Sequence, residues 1–260
     1  VSDKLKKLEL EELKPFENQN NILKTMTGND IDVFLENKNV TYNLNNVKLK
    51  ENSKEPFIYN TINTNYAASI KYKVKVENKG VLYAYISSDY NKKIDVKVNG
   101  KSIIDTSDQN DYRYNILELG EYNIDDEVDF EIILLDSSIK FNDVVFYTLN
   151  KENFATQIND LQQSEALNIT EFKSNYIKAN INVESDNKIL YTSIPLDKGW
   201  TIKVDGKKVD KIEIFNSLIG IDVNKGEHVI EFSYIPRGLY AGGFVSLVSL
   251  LFVIVLKKRK

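Results

Sequence analysis

No cysteine occurs among the 260 residues, which excludes disulfides and thiolate metal sites. Histidine is present once, as His228, directly after the turn Lys225-Gly226-Glu227 and at the head of a strand-like stretch. An exposed or edge imidazole is expected there rather than the base of a catalytic triad. The chain has no glycine-rich phosphate loop after a strand, no G-x-S-x-G and no H-E-x-x-H, so neither a cofactor nor catalytic residues are expected. Arginine is scarce: Arg113 and Arg237 are the only ones outside the last four residues. With that tail set aside, 30 basic residues face 38 acidic ones. A body with this net negative charge is not expected to have nucleic acid as a partner.

Charge is also absent from Leu239 to Leu256, eighteen residues that run into Lys257, Lys258, Arg259 and Lys260. At ~1.5 Å rise per residue such a helix is roughly 27 Å long, close to the ~30 Å hydrocarbon thickness of a bilayer. A transmembrane helix is therefore expected over residues 238–256, with a basic tail at 257–260 and the lipid bilayer as partner. Cytoplasmic flanks carry an excess of Lys and Arg, and only Arg237 lies immediately on the other side. These five residues predict a cytoplasmic C-terminus and an extracellular body at the plasma membrane. Val1 to Asn20 holds no apolar signal-like run, so export is expected to depend on an upstream signal peptide or a preceding transmembrane helix.

The body has 27 Phe and Tyr and 42% hydrophobic residues, ample for cores. After residue 66 its pattern has period two. Ile70, Tyr72, Val74 and Val76 alternate with lysines, Ile94, Val96 and Val98 with Asp95 and Lys97, and Ile202 and Val204 flank Lys203. Two of these runs end in Asn99-Gly100 and Asp205-Gly206, dipeptides that accept the positive φ angles of a tight hairpin. Their surroundings match: Val81-Leu82-Tyr83 and Ile189-Leu190-Tyr191 precede them, and Phe130–Leu135 and His228–Tyr234 follow, which suggests two domains of one plan. Phe154, Ile158 and Leu161 predict an amphipathic linking helix. Pro15, Phe16, Ile22, Leu23, Met26 and Gly28 predict an earlier one. Leu5 to Leu13 fits strand and helix equally. The expected fold is mainly β: two antiparallel β-sandwich-like domains joined by a short helix and followed by one C-terminal transmembrane helix. The expected divisions are a membrane-proximal segment 1–32, a first β domain 33–150, a helical linker 151–166 and a second β domain 167–236.

Few residues suggest a binding site. Asp105, Asp108 and Asp111 lack the spacing of a Ca²⁺ loop, and Asp125-Asp126-Glu127 reads as a turn. Trp200, Tyr112 and Tyr114 offer rings on which a sugar could stack, although aromatics in β domains are more often packing. Asn39-Val40-Thr41 and Asn168-Ile169-Thr170 match the glycosylation sequon.

Four stretches together resemble the C-terminal region of the YfhO family of large bacterial membrane proteins. They are Pro15-Phe16-Glu17-Asn18-Gln19-Asn20, Gly199-Trp200 followed by Val204-Asp205-Gly206-Lys207, Gly226-Glu227-His228 leading to Ile230 and Tyr234, and Pro236-Arg237-Gly238 entering an apolar helix. The resemblance implies a many-helix membrane part related in plan to lipid-linked-sugar glycosyltransferases. It also implies a role in glycosylating teichoic acid or other envelope polymers from an undecaprenyl-linked sugar. The implied partners are preceding membrane helices of the same protein and envelope polysaccharide. The acid acting on the sugar is implied to lie near the N-terminal helices, so no catalytic residue is assigned here. A surface adhesin or carbohydrate-binding protein held by a C-terminal sorting signal is the alternative. Neither Ile194-Pro195-Leu196-Asp197-Lys198 nor Ile235-Pro236-Arg237-Gly238-Leu239 supplies the L-P-x-T-G such a signal needs.

Overall fold

Alternation becomes sheet in both halves of the chain. The computed structural model describes residues 1, 3–87, 93–105 and 115–258, which form two compact units. One comprises Glu11–Lys24 and Asn29–Asn159, the other Val1–Leu10, Thr25–Gly28 and Asp160–Lys260. Residues 1–32, expected as one segment, are thus divided between the units. Leu5, in a short 3-10 turn over Asp3–Lys7, is buried with Ile189 and Ile214 of the C-terminal unit.

Helix α1 spans Pro15–Thr27 and stops at Gly28, whose φ of +79° suits a residue without Cβ. The N-terminal unit then builds β1 (Phe34–Glu36), β2 (Val40–Asn45), β3 (Val47–Leu49), β4 (Phe57–Thr61), β5 (Ala68–Lys75) and β6 (Gly80–Ile86). It continues with β7 (Ile94–Val98), β8 (Lys101–Asp105), β9 (Asn115–Tyr122), β10 (Glu127–Leu134), β11 (Ser138–Phe141) and β12 (Val144–Leu149). Its sheets run β2-β5-β10-β7-β8, β1-β12-β6-β9 and β11-β4-β3. Ile132 of β10 pairs with Ile70 on one side and Val96 on the other, and all three are fully buried. On the opposite face of the same strands Lys73 meets Glu127 at 3.1 Å and Lys71 meets Glu131 at 3.5 Å, a solvated ladder worth little per pair.

Helix α2 spans Lys151–Gln162. The side chain it buries is not the expected apolar face but Gln157, which donates to the carbonyls of Asn29 at 3.0 Å and Ile31 at 2.7 Å. Phe154 stays 42% exposed. A loop that turns two carbonyls inward needs a donor, and the amide meets that need where an apolar residue could not.

The C-terminal unit adds β13 (Asn168–Lys173), β14 (Tyr176–Val183), β15 (Lys188–Pro195), β16 (Trp200–Val204), β17 (Lys207–Val209), β18 (Ile212–Ile214), β19 (Leu218–Val223), β20 (Gly226–Tyr234) and helix α3 (Leu239–Lys258). Its sheets run β13-β14-β20-β16-β17 and β15-β19-β18. The first order is that of β2-β5-β10-β7-β8 strand for strand, and β15 pairs with β19 as β6 pairs with β9. The two units share a plan, as the matching turns suggest.

Those turns agree in atomic detail. Asn99 and Gly100 have φ of +49° and +80°, and Asp205 and Gly206 have +51° and +77°, the pattern of a type I′ hairpin. Asn99 Oδ1 accepts the amide of Asp129 at 2.9 Å, and Asp205 Oδ1 accepts that of Val229, also at 2.9 Å. In each unit the first turn residue therefore locks its hairpin to the neighbouring central strand.

Candidate functional site

Where β20 hands over to α3, the C-terminal unit builds a junction from residues far apart in sequence. Gly199, ending the turn before β16, accepts the amide of Ile235 at 3.1 Å on its carbonyl, while its own amide donates to Asp197 Oδ1 at 2.6 Å. A Cβ on Gly199 would stand 2.5 Å from the Ile235 carbonyl oxygen and 2.7 Å from the Tyr234 ring, so only glycine permits the approach. Lys211 reaches across to donate to the carbonyls of Asp197 at 2.8 Å and Trp200 at 3.0 Å. Trp200 lies 4.9 Å from the Tyr234 ring and stands edge-on to Phe232 at 6.5 Å. Its indole is half-buried packing against the core and not an open sugar platform.

Beyond this clamp only Ile235, Pro236, Arg237 and Gly238 precede α3. From Tyr234 to Leu239 the chain reaches at most roughly 18 Å. The helix is capped by an amide of Leu239 donating to the Pro236 carbonyl at 3.2 Å. None of its side chains is buried, although nearly all are apolar, and its 20 residues are roughly 30 Å long. Lys257 and Lys258 occupy its last turn, where cations also suit the helix dipole. Arg237 lies exposed in the turn before it, while Arg259 and Lys260 fall outside the described residues. The apolar helix and the Gly199-Trp200 pair are legible in the sequence. Lys211 is not, because a single lysine ahead of a short strand gives no signal of two carbonyls waiting in three dimensions.

The remaining candidates are placed apart from this junction. His228 sits at the opposite end of β20 and is less exposed than expected, with 16% of its side chain accessible. Its Nδ1 lies 2.8 Å from Asp205 Oδ2 and its Nε2 3.1 Å from the Asn224 carbonyl. Both neighbours are acceptors, so the doubly protonated ring satisfies them together. The hydrogen bond to Asp205 accordingly raises the imidazole pKa above its ordinary value, and the same bond lowers that of Asp205. An imidazolium with both N–H groups committed is a structural tie and a poor general base. Asp108, Asp111, Tyr112 and Tyr114 lie outside the described residues, as does the side chain of Asp105. Among the described residues no group of three His, Cys, Asp or Glu could hold a metal ion.

The stretch Pro15 to Asn20 serves the N-terminal unit structurally. Phe16 is buried against Tyr147 at 4.6 Å and Phe34 at 5.0 Å. Asn18 exchanges two hydrogen bonds with the backbone of Glu11, and Asn20 accepts the amides of Val33 and Phe34 at 2.9 Å while donating to the Phe34 carbonyl. Asn20 thus fixes the entry into β1, while Asn18 ties α1 to the segment before it.

Comparison with known proteins gives one family. Residues 1–246 match the family described as "Bacterial membrane protein YfhO". A curated relative, "Uncharacterized protein YfhO" of Bacillus subtilis (strain 168), is 31% identical over 116 residues, which is 43% of this chain and 13% of the relative. The matched stretch is thus a small part of that relative's length. Among solved structures, a CBM35 from Paenibacillus barcinonensis covers 45% of this chain and 98% of its own at 13% identity and a TM-score of 0.32. A GH2 beta-galacturonidase from Eisenbergiella tayi covers 79% of this chain and 38% of its own at 13% identity and a TM-score of 0.22. Neither superposition is good enough to establish a shared fold.

Proposed function

The chain belongs to the YfhO family of bacterial membrane proteins, and from that premise we propose that it is the external, membrane-proximal β region of a lipid-linked-sugar glycosyltransferase-type protein that decorates teichoic acid or another envelope polymer. In this reading α3 crosses the plasma membrane, Lys257 to Lys260 lie in the cytoplasm and both β units lie outside. The β units act by position or by binding. They hold the acceptor polymer at the mouth of membrane helices that precede them, where a sugar on its lipid carrier emerges, and the chemistry belongs to those helices.

The observation that carries this reading is the junction. A domain meant to project a binding surface into the cell wall needs a long or flexible stalk. This one is fixed to its anchor by four residues, a backbone bond between Gly199 and Ile235 and the Trp200–Tyr234 contact. Two further features favour position over catalysis: His228 is committed on both nitrogens, and the family stretch around Phe16 is consumed by packing. The test is compositional. Cells lacking the gene should yield teichoic acid or another envelope polymer depleted in one sugar, restored by a plasmid copy. Unchanged sugar content in every isolated envelope polymer would refute the proposal.

A further inference from the structure

An inward row of the C-terminal unit ends on an uncovered ring. Phe172 of β13 pairs with Ile177, Ile177 with Phe232 and Phe232 with Ile202, so the four lie in line across the five-stranded sheet. Phe232 and Ile202 are each 1% exposed, whereas Phe172 is 72% exposed. Among the described residues outside α3, no large hydrophobic side chain is more exposed. Ile169 on the same strand is also open. The cause is architectural: the facing sheet has three strands against five, and β13 is left uncovered at the edge.

This edge lies at the end of the unit from which α3 departs. Lys173 pairs with Tyr176 and Tyr176 with Ser233, and the amide of Tyr234 donates to the Asn175 carbonyl at 2.8 Å. The tip of the β13–β14 hairpin, Ser174 and Asn175, is therefore level with the last residue of β20. Ile235, in the connector, and Tyr240, in the first turn of α3, are exposed as well. Phe172 and Ile169 together open an apolar stretch on an edge strand, a kind of surface suited to an apolar partner.

We propose that the β13–β14 hairpin is a second membrane contact, with Phe172 seated at the boundary between headgroups and acyl chains beside the anchor. The bilayer is the occupant because α3 brings it within one short connector, and an aromatic ring is well suited to that depth. The charges nearest the ring are balanced, Lys173 pairing with Glu171 and Lys178 with Glu231, so the contact is apolar and does not depend on anionic lipid. It would fix the tilt of the unit against the bilayer, adding a second contact to the short connector. The inference rests on α3 being the anchor, and its test separates the two.

Because the chain has no cysteine, a fluorophore can be placed at one position without other changes. Ser174→Cys, Tyr240→Cys and Lys207→Cys, the last at the start of β17 just past the turn at the far end of β16, are labelled in the full chain. Each is reconstituted in phosphatidylcholine nanodiscs carrying lipid quenchers near the ester carbonyls. The label at 174 should lose most of its fluorescence, as at 240, while that at 207 keeps it; adding Phe172→Asp should return 174 to the level of 207. If 240 is quenched and 174 matches 207, the hairpin contact is refuted and the anchor stands. If neither is quenched, both fall. Quenching at 174 that survives Phe172→Asp refutes the assigned role of Phe172.

Discussion

His228 of β20 and Asp205 of the neighbouring turn face each other at 2.8 Å, at the place where the N-terminal unit has Asn99 bound to the Asp129 amide. The imidazole pKa is raised on folding, so its contribution is complete below the ordinary value of about 6.5 and is lost as pH rises through the folded value. Asp205 is lowered, so its contribution is present above about 3.9 and is lost as pH falls. The pair is strongest between those values. The melting temperature of the chain in nanodiscs should therefore fall from pH 6 to pH 8.5.

Asp205→Asn recreates the Asn-Gly turn of the first unit, including an acceptor for the Val229 amide. It should keep the hairpin and abolish most of that pH dependence. A variant that melts with the parent's slope between pH 6 and 8.5 would show that the pair is not its source.

The glycines divide by mechanism. Gly100 and Gly206 have open space around a hypothetical Cβ but φ near +80°, so Val at either should cost about 1–3 kcal/mol through the backbone alone. Gly199 carries no such φ, and Ala there should cost about 1–3 kcal/mol through collision with Ile235 and Tyr234. Thermal unfolding checks both. The diagnostic difference is Trp200 emission, the chain's only tryptophan signal, which should shift in Gly199→Ala and stay put in Gly206→Val.

Much of this fold is legible in the sequence because it is local. Period-two alternation placed β5, β7 and β16, and the Asn-Gly and Asp-Gly dipeptides needed no partner to announce a type I′ turn. The anchor is legible for the same reason. What stayed hidden depends on register between distant strands: the approach of His228 to Asp205, the two carbonyls that claim Lys211, and the burial of Gln157 instead of Phe154. Phe172 is the clearest case. Its row predicts core, and only the width of the facing sheet leaves it open.

The proposed sidedness rests on the cations at the end of α3. A tag fused after Lys260 should resist protease added to intact protoplasts, whereas one inserted between Asp105 and Asp111 should be cut. The reverse pattern would invert the proposed topology.

The proposed function requires close tethering of the β units at the Gly199–Ile235 junction. A flexible ten-residue Gly-Ser insert between Ile235 and Pro236 adds roughly 16–19 Å of r.m.s. reach while leaving the β units and α3 intact. In cells whose native copy is deleted, the elongated full-length protein, matched in abundance to the parent, should restore little of the missing envelope sugar. Sugar content equal to that given by the parent would contradict the account.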